Sequence, residues 1–193
     1  MPGQLNLYSL FEGRPGLTPS EGGHLAECAM VCFAHARRRS PITVSVTGNH
    51  VGVYEVVGPT VDERMRRCYA DLHEASEYGA CAVAAALTEA AFSLAINARA
   101  PRDGGGFDYY LAPLPAESDT QSADPAGGGR LIDATARLEV SGALSGGMTV
   151  LRARVAGRES RLARRPHRLP AIVVVVAFGT GQIELKRLPG DLA

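Results

Sequence analysis

The chain has no tryptophan, and only 6% of its residues are aromatic. A core of ordinary density therefore has to be assembled from alanine, valine and leucine. Lysine is almost missing as well: of the 20 basic residues, Lys186 alone is not an arginine. Arginine keeps its charge and presents a rigid donor fork, which suits carboxylate or phosphate pairing. The four cysteines, at 28, 32, 68 and 81, form no C-x-x-C pair. The expectation is buried free thiols in a cytoplasmic protein, in place of a zinc ribbon or a disulfide framework. The longest apolar run, Ala171–Phe178, is far too short to cross a bilayer, so no membrane partner is expected. No basic stretch followed by an apolar one opens the chain, so no secretion signal is expected. There is no G-x-x-x-x-G-K-[ST] loop, no G-x-S-x-G elbow and no H-x-x-x-H or H-E-x-x-H pair. These absences argue against a nucleotide-binding P-loop, a serine hydrolase and a zinc protease.

What is present is a chain of 193 residues, 46% hydrophobic, which is enough for one α/β domain over 1–193. The net charge of zero conceals a polarity. Residues 1–129 hold 9 basic and 15 acidic side chains, whereas residues 130–168 hold 9 basic and 3 acidic.

Thr18-Pro19-Ser20-Glu21 has the residues of a helix start, with a capping threonine, proline in the first turn and glutamate three residues on. Ile42–Val46 and Val51–Val57 alternate as two strands around Gly48-Asn49, consistent with a hairpin. From Pro59 onward a helical pattern of about 38 residues continues to Ile96, with a bend expected near Gly79. Further strands are predicted over 106–111, 135–142, 171–178 and 183–188, a helix over 149–165 and a flexible surface loop over 113–130. The order implies a mixed central sheet flanked by helices, with the first helix and hairpin packed outside it.

The acidic residues Glu77, Asp108 and Glu139 interrupt otherwise apolar or neutral patterns. If strands 106–111 and 135–141 are neighbours, Asp108 and Glu139 face one another on one sheet surface. Two carboxylates at that spacing repel unless a cation or a shared proton compensates. Mg²⁺, held by Asp108 and Glu139, is the cation such a site would take.

The segments LTPSEGGHLAECAMVC (17–32), DLHEASEYGACAVAAAL (71–87), GGGFDYYL (104–111), ARLEVSG (136–142) and AIVVVVAFG (171–179) resemble an uncharacterised family of small bacterial proteins, over roughly 17–180. The element order also resembles the core of restriction-endonuclease-like nucleases. That resemblance implies a helical acid at Glu77, a strand acid at Asp108 and the first position of a Glu-x-Lys motif at Glu139. Ser141 stands where the resemblance asks for the catalytic lysine, which puts activity in doubt. A second Glu-x-Lys, Glu184-Leu185-Lys186, falls out of order for that core.

Arg152, Arg154, Arg158, Arg161 and Arg165 lie on or beside one basic helix, a ridge able to meet a nucleic-acid backbone without reading bases. The expectation is a nucleic-acid-associated protein with a divergent or degenerate Mg²⁺-dependent nuclease site. The rival is a non-catalytic structural or regulatory module that binds a protein partner, with homo-oligomer formation open in both cases.

Overall fold

A computed structural model describes residues 2–101, 106–114, 134–165 and 167–190. The elements run β1 (Gly3–Asn6), a 3-10 turn (Leu7–Glu12), α1 (Pro19–His35), β2 (Ile42–Gly48), β3 (Gly52–Val57), α2 (Glu63–Cys68), α3 (Leu72–Phe92), β4 (Leu94–Arg99), β5 (Tyr109–Pro113), β6 (Ala136–Ala143), α4 (Met148–Ala163), β7 (Ala171–Ala177) and β8 (Gln182–Leu188). All eight strands form one mixed sheet in the order β1-β3-β2-β8-β7-β6-β5-β4. The predicted loop over 113–130 lies almost entirely outside the described residues.

Local chemistry sets these boundaries. Thr18 Oγ1 accepts from the Glu21 amide at 3.2 Å, so α1 starts where the capping residues put it. The long helix predicted from Pro59 to Ile96 is instead two helices. Asp71 accepts from the amides of His73 and Glu74 and begins a new helix there, while Tyr69 closes the short α2. The break therefore falls at 69–71 and not at Gly79. Gly79 lies inside α3, where a Cβ would stand 2.7 Å from the backbone of Ala29. Its missing side chain lets α1 and α3 pack backbone to backbone.

The sheet separates two apolar layers. One, under α1 and α3, takes Leu138 and Val140 of β6 with Ile172, Val174 and Val176 of β7. The other, under α4, takes Leu151, Val155 and Leu162 with Val173 and Val175. This explains the AIVVVVA run: β7 is buried on both faces. The hairpin β2–β3 does not pack outside the sheet as expected. β2 pairs in parallel with β8 and extends the same sheet. Among the described residues, no helix is long and apolar enough to cross a membrane.

Candidate functional site

The site forms where β5 is shorter than its neighbour. β5 pairs with β6 from Tyr109↔Leu138 to Leu111↔Ala136, and Gly106, at φ +67°, turns the incoming chain just before it. The sequence pattern starts this strand at Gly106, but the ladder starts at Tyr109, so Asp108 stands just ahead of the strand. On that side β6 beyond Glu139 has no strand partner, and its amides at Val140 and Gly142 need other acceptors. Asp108 Oδ2 takes the Val140 N–H at 2.7 Å, and Glu77 Oε2 takes the Gly142 N–H at 3.2 Å. α3 comes this close because Gly142 has no side chain: a Cβ there would lie 1.9 Å from the Ser76 carbonyl oxygen.

Glu139 and Ser141 project from the α4 face of the sheet, beside Val173 and Val175 of β7. The Glu139 side chain is only 2% exposed. Arg158 donates to its Oε1 at 2.7 Å, and Arg161 donates to the same oxygen. Arg154 donates to Ser141 Oγ at 3.0 Å and to the Gly142 carbonyl at 2.8 Å, and lies 3.6 Å from Glu77. Arg158 also approaches Glu77, at 3.9 Å. A cleft of about 100 Å³, the size of a few water molecules, is lined by Glu77, Cys81, Arg99, Asp108, Tyr109 and Val140.

The structure thus brings Glu77, Asp108, Glu139 and Ser141 together with Arg154, Arg158 and Arg161. Arg152 and Arg165, on or just beyond the same helix, are exposed to solvent. Burial, reinforced by the Asp108 charge, pushes Glu139 up to about 8 against the opposing pull of Arg161. Burial also raises Asp108, against the bond from Val140 and the charge of Arg161. The Asp108 charge thus adds to the effect of burial on Glu139.

Mg²⁺ does not suit this arrangement. Oε1 of Glu139 lies under two guanidinium groups, and Asp108 and Glu77 each accept from a strand amide. Among the described residues no group of three or more His, Cys, Asp or Glu side chains is placed to hold a metal ion. Three guanidinium groups already face these acids and supply positive charge where a divalent cation would otherwise do so. The second Glu-x-Lys is committed elsewhere: Glu184 accepts from Thr47 at 2.6 Å, and Lys186 pairs with Glu159 at 2.5 Å.

The pattern in the sequence did not single out Arg99 and Cys81 as neighbours of these acids. Arg99 ends β4 and Cys81 is one turn beyond Glu77 on α3, so both follow from the helix–strand pairing and not from any motif. No family model, curated protein or solved structure matches the chain.

Proposed function

We propose that this chain is a nucleic-acid-associated protein on a restriction-endonuclease-like core whose acidic site is degenerate, neutralised by arginines in place of Mg²⁺. Support for the core comes from the run β4-β5-β6-β7-β8, in which β5 is antiparallel to β4 and β6, β6 is parallel to β7, and β8 is antiparallel to β7. The helix α3 precedes these strands and α4 connects β6 to β7, the order that the resemblance requires. The observation that carries the degenerate reading is Glu139, almost fully buried and held by both Arg158 and Arg161.

Nucleic acid would lie along α4. Arg152, Arg164, Arg165 and Arg168 are exposed and make no ion pair among the described residues. Their chemistry suits phosphate contacts that fix position without reading sequence. Ser141, in the lysine position, is poorly suited to help deprotonate an attacking water. The pairing of Arg154, Arg158 and Arg161 with acids of the same chain favours a second reading, a protein-interaction module in which these charges only hold α4 to the sheet.

Fluorescence anisotropy with a labelled DNA duplex in EDTA, followed by gels after incubation with Mg²⁺ or Mn²⁺, separates these readings. The proposed function expects binding that weakens steeply with salt, is reduced by Arg152→Glu with Arg165→Glu, and leaves the duplex intact. Absence of binding at low salt favours the protein module. Cleavage that Asp108→Ala abolishes overturns the degenerate site.

A further inference from the structure

A second basic concavity lies on elements other than those of the acidic site. Its floor is apolar, made by Met30 and Ala34 of α1 with Pro59 and Val61. Around it stand Arg38 and Arg39 from the segment after α1, Arg66 from α2, and the hydroxyl residues Ser40 and Thr60, enclosing about 300 Å³. Among the described residues no carboxylate lines it. None of the three arginines makes an ion pair among the described residues, in contrast to Arg154, Arg158 and Arg161.

The cationic rim is built by the fold. Arg37, at φ +58°, takes the chain out of α1, and its amide and that of Arg38 cover the helix-end carbonyls of Ala34 and Phe33. Arg38 is anchored by donating to the carbonyls of Gly179 and Thr43, each at 3.3 Å. Its side chain is thus held before any ligand arrives. The C-terminal end of α1 contributes about half a negative charge, which three guanidinium groups outweigh several-fold.

Three guanidinium groups with no ion-pair partner among the described residues, that of Arg38 already tied to two carbonyls, stand around an apolar floor and select a compact dianion attached to an apolar or planar body. We infer that the cleft formed by Arg38, Arg39 and Arg66 binds a phosphomonoester, its phosphate on the arginines and its ring on the Met30–Val61 floor. The volume lies at the lower end of small-molecule sites, which suits a nucleoside 5′-monophosphate. The same chemistry is offered by a free nucleotide or by the 5′-phosphorylated end of a nucleic-acid strand. The inference does not depend on the acidic site or on the degenerate-nuclease reading.

Isothermal titration of the full chain with AMP, adenosine, inorganic phosphate and an octanucleotide with or without a 5′-phosphate tests it. AMP is expected to bind at least about tenfold more tightly than adenosine or inorganic phosphate. Arg39→Gln and Arg66→Gln, both at exposed positions, are each expected to weaken AMP about tenfold with an unchanged thermal unfolding midpoint. Tighter binding of the 5′-phosphorylated octanucleotide than of AMP, lost with the 5′-hydroxyl strand and in both variants, supports the same site and assigns the strand end as its source. Inorganic phosphate binding as tightly as AMP, AMP binding no tighter than adenosine, or full AMP affinity in both variants overturns the inference. Because cleavage is not read, failure here leaves the reading of the acidic site untouched, and the reverse also holds.

Discussion

Asp108 and Val140 are joined where a strand partner is missing: the carboxylate accepts the Val140 N–H at 2.7 Å and completes the β6 edge beyond the end of β5. An acid that the pattern assigns to chemistry thus has a structural task in hand. Replacing Asp108 with alanine leaves that buried amide unpaired and is expected to destabilise the fold by about 1–3 kcal/mol. Asp108→Asn retains an acceptor oxygen and should keep most of the stability. Urea unfolding of the three proteins checks this, and equal losses for both variants would contradict the role given to the acceptor.

Glu139 makes stability depend on pH in an unusual direction for an acid. Folding raises its proton affinity, so its favourable contribution is complete below pH about 4.5 and drains away as pH climbs towards about 8. Glu139→Gln removes that component. Relative to the variant, the wild type should lose about 2–4 kcal/mol between pH 5 and pH 8. Urea titrations at several pH values test this, and a wild type that gains on the variant over that interval would refute the assignment.

Glycines 142 and 157 should respond to alanine with opposite signs. A Cβ at Gly142 meets the Ser76 carbonyl oxygen at 1.9 Å, backbone against backbone, so Gly142→Ala is expected to cost about 2–4 kcal/mol. At Gly157, inside α4, nothing lies within 4 Å of the added atom. Gly157→Ala should stabilise by about 0.5–1 kcal/mol through helix propensity alone. Thermal unfolding midpoints of the two variants decide the matter.

All four cysteines were expected to be buried free thiols, but Cys68 is exposed while Cys28, Cys32 and Cys81 are not. Burial pushes the thiols of Cys28 and Cys32 up to about 12, and raises that of Cys81 as well. Iodoacetamide at pH 8 should therefore add one label quickly to the native protein and four in urea, as read by intact mass. Rapid labelling at more than one position under native conditions would show that α1 or α3 opens readily.

Features decided by neighbouring residues were legible from the chain alone. Thr18 and Glu21 marked the start of α1, and the apolar 171–178 run marked a strand buried on both faces. Features decided by distant partners were not. Leu72–Phe92 continues the apolar periodicity of the preceding residues, so the break made by Asp71 was masked by the pattern around it. The placement of β2 beside β8 joins residues more than 130 apart, and no local signal encodes it. The pairing of Glu139 with Arg158 and Arg161 depends on α4 crossing behind β6, which the helical period allows but does not require.

The position of β8 bears on how the chain is made. Within the described strands it is the sole seam between the β1-β3-β2 group and the β7-β6-β5-β4 group, and it follows all of them in chain order. During synthesis, until residues 182–188 leave the ribosome, β2 and the valine-rich β7 each present an unsatisfied border on which another chain could build. Nascent protein should accordingly be more dependent on chaperones before β8 emerges than after it.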